Sequence, residues 1–224
     1  MTAHDRAPAA ERAAEPDVLH ATRAFYDAVA ADYDDRFRDA LAARPLDQAL
    51  LAAFAGYVRG SGPVADLGCG PGRTTAYLHG LGLAVSGIDL SPRMVELARA
   101  AHPGLRFEVG SITALDLPDG TLGGLLAWYS TIHLPVERLP QAFAEFHRVL
   151  APGGHALLAF QTGDEPLRVD RPFGHPVALD FQRRRPERVA ELLAEAGFVP
   201  HARVEREPEM EDSTRQAFLL VRKP

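Results

Sequence analysis

From Val18 to about Phe37 the side chains Phe25, Tyr26, Val29, Tyr33 and Phe37 recur at spacings of three and four, the period of an amphipathic helix. A second helix is predicted from Pro45, a good first-turn residue, to a stop before Gly60 and Gly62. The pattern then changes to short apolar runs separated by helical stretches. Strands are predicted at Pro63 to Leu67, at Leu83 to Ile88 (ending on Asp89), at Leu105 to Val109, at Leu122 to Trp128 and at His155 to Phe160. Helices fall between them: Arg73 to Leu81, Arg93 to Ala101 behind the N-cap Ser91 and Pro92, and Pro140 to Leu150. The chain closes with a helix from Pro186 to Ala196 and two strands, Val199 to Glu205 and Arg215 to Val221. The polar turn around Glu209 to Ser213 joins those strands as an antiparallel hairpin at the end of the sheet.

Strand alternating with helix implies right-handed crossovers and an α/β fold, a mostly parallel sheet with helices on both faces. Two segments lie outside the pattern. Residues 1–17 are rich in Ala, Arg, Glu and Pro without apolar periodicity and are expected to be a disordered leader. Residues 163–182 are too long and irregular for an ordinary connection and are expected to be a functional insert.

Bulk properties remove several function classes. With 224 residues the chain fits one domain with a real core, and a net charge of −6 weighs against a phosphate-backbone partner. Cys69 is the single cysteine, which excludes an intramolecular disulfide and a Cys-rich metal site. No apolar run approaches a membrane span and no secretory signal opens the chain, so a cytoplasmic location is expected. Of 24 basic residues only Lys223 is a lysine, a composition typical of a GC-rich bacterial genome.

The stretch Asp66-Leu67-Gly68-Cys69-Gly70-Pro71-Gly72 carries the chemistry. Glycines at the carboxyl end of a first strand let the backbone turn tightly and approach a ligand. Asp66 suits a cationic ligand and would repel a pyrophosphate, and the spacing is G-x-G-x-G where dinucleotide sites have G-x-G-x-x-G. Asp89 follows 23 residues later at the end of the second strand, where an acid accepts hydrogen bonds from ribose hydroxyls. Together these specify adenosine plus positive charge.

The stretch resembles the E/D-x-G-x-G-x-G motif of class I S-adenosylmethionine-dependent methyltransferases, and Gly87 to Ser91 resembles their second motif. Gly110, Ser111 and Ile112 sit where that family contacts adenine. Leu126 to His133 resembles its fourth-strand motif, and Val149 to Gly154 its fifth-strand approach. The resemblance implies a Rossmann-like seven-stranded sheet with one antiparallel strand, with residues 18–60 as a helical lid, 63–162 as a cofactor core and 186–224 as the closing helix and hairpin. It implies S-adenosyl-L-methionine as cofactor, with Leu90, Met94, Trp128 and Tyr26 beside the motif residues. The acceptor would be a small molecule attacked at O, N or C, with no metal, nucleic acid or membrane and with a monomeric or homodimeric state.

Residues toward the substrate end stay open to two readings. His133 is a candidate general base, since imidazole titrates near neutrality, or a histidine that packs on the next helix. Tyr33 is a lid contact near the methyl site or one member of an apolar stripe. Tyr129, His175 and Asp180 are candidate substrate contacts or ordinary packing and loop residues. Cys69 reads as a small filler, and Arg183, Arg184 and Arg185 as a solvated basic run. The rival functions are a nicotinamide-dependent oxidoreductase, a cofactor-binding module without turnover, and a transferase acting on nucleic acid or protein.

Overall fold

The computed structural model describes the backbone from Ala9 to Pro224 and the side chains from Val18. In chain order the elements are α1 (Ala9–Phe37), α2 (Pro45–Val58), β1 (Val64–Leu67), α3 (Arg73–Gly80), β2 (Val85–Asp89), α4 (Pro92–Ala101), β3 (Arg106–Val109) and β4 (Leu122–Trp128). They continue with α5 (Leu139–Val149), β5 (Leu150–Gln161), β6 (Leu167–Asp170), β7 (Ala178–Phe181), α6 (Pro186–Glu195), β8 (Val199–Arg206) and β9 (Gln216–Arg222).

Seven strands form one sheet in the order β3-β2-β1-β4-β5-β9-β8. β1 pairs in parallel with both β2 and β4, whereas β9 runs antiparallel to β5 and to β8, so β9 is the one reversed strand. The closing hairpin therefore inserts its second strand inside the sheet and leaves β8 at the edge. Strand order reverses between β1 and β4. In such sheets ligands bind at that crevice, outside the carboxyl ends of the strands.

Alternation along β4 shows why the sheet is covered twice. Leu125 packs with Phe143 and Phe146 of α5 and Leu192 of α6, and its neighbour Leu126 packs on the other face with Phe54 and Val58 of α2. Phe143 and Phe146 are wholly buried, each contributing about 1.5–3 kcal/mol of burial free energy. α4 is capped as its sequence requires: the Ser91 hydroxyl accepts the Met94 amide at 3.1 Å, with Pro92 in the first turn.

Two expectations change. α1 begins at Ala9, inside the segment read as a disordered leader, while residues 1–8 of that segment lie outside the described residues. Ala9 to Glu15 are strong helix formers, and that propensity decides where apolar periodicity is missing. The insert at 163–182 contains regular structure: β6 and β7 form an antiparallel pair in which Leu167 faces Phe181 and Asp170 faces Ala178. Leu179 of this ribbon packs against Phe25 and Val29 of α1, so insert and lid make one roof.

Candidate active site

The glycine loop is built by backbone conformation. Gly68, Gly70 and Gly72 all have positive φ, at 74°, 54° and 84°, where side chains are strained. At Gly68 an added Cβ would stand 2.3 Å from the Ser130 Cβ, so this residue lets the loop pass under the turn after β4. At Gly70 an added Cβ would meet nothing within 4 Å. That residue lines a cavity of about 320 Å³ at the β1/β4 crevice.

Asp89 joins this loop to the start of α4. One carboxylate oxygen accepts the Gly70 amide at 2.8 Å and the other accepts the Ser91 amide at 2.8 Å. Each oxygen keeps a further acceptor site, and Asp89 lines the cavity. Burial pushes its carboxyl above the ordinary aspartate range, and the two amides counter that shift. Asp66 is placed differently from its expected role at the strand mouth. It does not line the cavity; one oxygen accepts the Thr74 and Thr75 hydroxyls at 2.6 and 2.7 Å, and the other is buried without a partner. Asp66 thus ties β1 to the first turn of α3, and burial pushes its pKa up to about 6.

The remaining expected cofactor contacts divide. Tyr26, Cys69, Pro71, Leu90, Met94 and Trp128 line the cavity, as do Ser111 and Ile112. Cys69 is buried against Val95, Ala98 and Phe107, and burial raises its thiol pKa, in keeping with a filler. Gly72 and Gly110 do not line it. A Cβ on Gly72 would meet the Phe107 ring at 2.8 Å, and one on Gly110 would meet Ile88 at 2.9 Å, so both serve close packing. The Ser111 hydroxyl is shared with Thr113 Oγ1 at 2.8 Å.

A hydrogen bond joins lid and floor over the turn after β4. Tyr26 Oη of α1 lies 2.8 Å from Nε2 of His133, in the short turn after β4, while His133 Nδ1 is buried without a partner. Burial, aided by the nearby positive charge of Arg184, depresses the His133 pKa to about 3, so the imidazole is neutral. Arg184 donates to the Thr131 and Leu134 carbonyls and is 7% exposed, which corrects the expectation of a solvated basic run. The Thr131 carbonyl already accepts the Leu134 amide at 3.1 Å, so the guanidinium adds a second donor there and reaches the Leu134 carbonyl as well. Arg185 does lie outside, bonded to Asp164, and Arg183 is half-buried with its Nη2 donating to the Ser213 hydroxyl. Tyr33 also lines the cavity, its ring 4.7 Å from Phe37 with the Arg73 guanidinium 5.3 Å over it.

Of the expected substrate contacts, Tyr129 and His133 line the cavity, whereas His175 and Asp180 do not. His175 Nε2 lies 2.8 Å from Asp32 of α1, and Asp180 pairs with Arg168 across the β6/β7 ribbon at 3.1 Å. Strand alternation explains this: Phe181 turns into the cavity, so Asp180 faces out. Sequence reasoning passed over Arg44, Gln161, Asp212 and Gln216, which line the cavity beyond Tyr129. Gln161 carried a readable signal, being a polar residue at the carboxyl end of an apolar strand. The other three carried none.

The glycine loop and Asp89 lie within the segment that matches known proteins. A family model described as a methyltransferase domain matches residues 64–154. The chain is similar in sequence to methyltransferases and in fold to solved S-adenosylmethionine-dependent methyltransferases. An O-methyltransferase from Penicillium expansum is 35% identical over 46% of this chain and 39% of its own length. Trans-aconitate 2-methyltransferase of Escherichia coli is 35% identical over 58% of this chain and 50% of its own. The chain spans between 39% and 62% of the length of the first three curated relatives it matches. Among solved structures, the 1,6-didemethyltoxoflavin-N1-methyltransferase of Burkholderia thailandensis superposes with a TM-score of 0.69 at 26% identity, covering 99% of this chain and 93% of the other.

Proposed function

We propose that this chain transfers the methyl group of S-adenosylmethionine to an oxygen, nitrogen or carbon atom of a small-molecule metabolite or natural product. The observation that carries the reading is Asp89, held by the Gly70 and Ser91 amides with acceptor capacity left on the cavity side. The donor set fits the cofactor: a carboxylate for the ribose, an open glycine loop for the amino-acid portion, and Ser111 with Ile112 for the adenine. Arg73 lines the cavity, and its Nη1 makes no hydrogen bond and sits in a loose ion pair 3.7 Å from Asp34, which suits the cofactor carboxylate. When bound, S-adenosylmethionine supplies an electrophilic methyl carbon on a sulfonium.

In this reading the chain contributes alignment and exclusion of water. The roof of α1 and the β6/β7 ribbon covers the cavity, and Asp27 of α1 holds it to α4 by accepting the Ser91 hydroxyl at 2.5 Å. With its pKa near 3, His133 is a weak base in this state, so its service as a base stays optional and its bond to Tyr26 orients the lid. Tyr33 stands at the cavity as the lid contact, and Tyr129 as an acceptor contact.

Among the described residues no helix is long and apolar enough to cross a membrane, and no group of three or more His, Cys, Asp or Glu is placed to hold a metal. We read the protein as a cytoplasmic bacterial enzyme, monomeric or homodimeric, acting on neither nucleic acid nor membrane. Its net charge of −6 and its single buried cysteine support this.

Thermal-shift measurement tests the cofactor directly. S-adenosylmethionine and S-adenosylhomocysteine each raise the melting temperature, and NADH leaves it unchanged. Stabilisation by NADH alone would favour the oxidoreductase reading.

A further inference from the structure

Beyond the glycine loop the cavity ends in a row of polar side chains that the cofactor reading leaves unused. Gln161 at the end of β5 lies directly opposite Gln216 at the start of β9, and Gln216 lies opposite Arg206 at the end of β8. Cross-strand partners point to one face, so these three residues form a ladder. Tyr129, just past β4, extends it: its amide donates to the Ala159 carbonyl at 2.9 Å, and its φ of 57° is the left-handed turn that sets its direction. Tyr129 Oη and Gln161 Oε1 are buried with no hydrogen-bond partner. The Gln216 amide nitrogen is already committed to the Thr214 carbonyl at 2.8 Å, which leaves its oxygen as an acceptor. A fold does not keep such groups unpaired without cause.

The positive charges beside the ladder are compensated internally. Arg44 grips Asp212 through two bonds of 2.9 and 3.1 Å. Arg206 lies 2.9 Å from Asp212, 3.0 Å from Glu209 and 3.5 Å from Asp47, close enough to neutralise it although the N–H groups are poorly aligned. Two guanidiniums face three carboxylates, so no free positive charge awaits an anionic acceptor. The cavity walls are aromatic, with Trp128, Tyr33, Phe37 and Phe181 lining it. Flat rings stack well on such walls.

We propose that this end of the cavity is an acceptor subsite for a neutral, planar heteroaromatic molecule with a lactam- or imide-type edge, a ring carbonyl beside a ring N–H. The Gln161 amide offers a donor and an acceptor to that edge, Gln216 offers an acceptor, and Tyr129 offers its hydroxyl. Gln161 and Gln216 are therefore specificity residues. The inference rests on the methyltransferase reading, because the subsite is defined by the space left beside the cofactor loop.

The test is calorimetric titration of the full chain, first with S-adenosylhomocysteine and then, on the loaded protein, with lumazine and 4-hydroxyquinolin-2-one as lactam-edged probes. 1-Naphthoate serves as the anionic control and naphthalene-1-methanol as the mostly apolar one. At least one lactam probe binds tenfold or more tighter than both controls. Gln161→Leu and Tyr129→Phe each reduce that binding tenfold or more, with the S-adenosylhomocysteine affinity and melting temperature unchanged. Should Gln161→Leu fail to fold, Gln161→Glu, which keeps the shape and removes the donor, carries the same expectation. Equal or tighter binding of either control, no binding of either lactam probe by loaded protein, or indifference to the substitutions overturns the subsite. Loss of S-adenosylhomocysteine binding by the unaltered protein overturns the underlying reading instead, and the subsite with it.

Discussion

Tyr26 Oη lies 2.8 Å from Nε2 of His133, so a residue of α1 is bonded to a residue 107 positions later, in the turn that follows β4. That contact links the lid to the sheet. Tyr26→Phe removes the hydroxyl, leaves the ring packing on Phe25 and Tyr33, and exposes an unpaired imidazole nitrogen to the cavity. We expect a loss of about 0.5–1.5 kcal/mol in urea unfolding, the usual net worth of one such bond. Unchanged stability would mean that the lid is held by packing and by its other bonds, among them Ser91 to Asp27 and Arg23 to the Leu90 carbonyl.

The depressed pKa of His133 sets the sign of a pH effect. Between about pH 6.5 and 3 the unfolded chain binds a proton at His133 and the native state does not. Stability from this group is therefore full above pH 6.5 and is lost as pH falls through that window. His133→Gln, which is neutral throughout, removes that part of the slope. A His133 carbon resonance followed by NMR shows the neutral imidazole at pH 5.5 in the native protein; a titration midpoint near 6.5 would contradict the burial argument.

Asp66 acts with the opposite sign. Its native pKa of about 6 exceeds the unfolded value of 3.8, so the native state holds the proton more tightly. Its contribution is therefore lost as pH rises from about 4 to 6, on the order of 3 kcal/mol for a shift of this size. The difference in unfolding free energy between wild type and Asp66→Asn should carry this slope, since the amide oxygen still accepts from Thr74 and Thr75. A flat difference would show that Asp66 stays ionised in the native site.

Gly68 and Gly70 have similar backbone angles and different surroundings. Gly68→Ala forces a methyl into Ser130 at 2.3 Å on top of an unfavourable φ, and should destabilise by about 2–4 kcal/mol. Gly70→Ala meets no neighbour and should cost only about 1–2 kcal/mol. Its methyl stands at the cavity wall, so its larger effect is on ligand: at least a tenfold weaker S-adenosylhomocysteine complex. Paired unfolding and binding curves separate the two, and equal effects on both properties would contradict the loop geometry.

The parts of the fold that could be read in the sequence are those carried by local chemistry. The apolar run of β4 ends at Trp128 as expected, Ser91 and Pro92 start α4, and Gly68 to Gly72 close β1. The β6/β7 ribbon could not be read because its pattern is short and its Gly and Pro residues masked it. The glycine-loop wall of the cavity was legible because Gly68, Gly70 and Asp89 fall within one motif and the strand end that follows. The opposite end of the cavity was not, because Gln161 and Gln216 are 55 positions apart and meet only through the antiparallel register of β5 and β9. Arg184 misled for a related reason: three consecutive arginines look alike, and only the Thr131 and Leu134 carbonyls distinguish the middle one.

The most direct test of the account is calorimetric titration of S-adenosylhomocysteine into the wild type and into Asp89→Ala. The account predicts micromolar binding by the wild type and a loss of at least a hundredfold in the variant, which gives up the ribose acceptor and frees the Gly70 and Ser91 amides. Absence of binding by folded wild-type protein, or equal binding by both proteins, would contradict it.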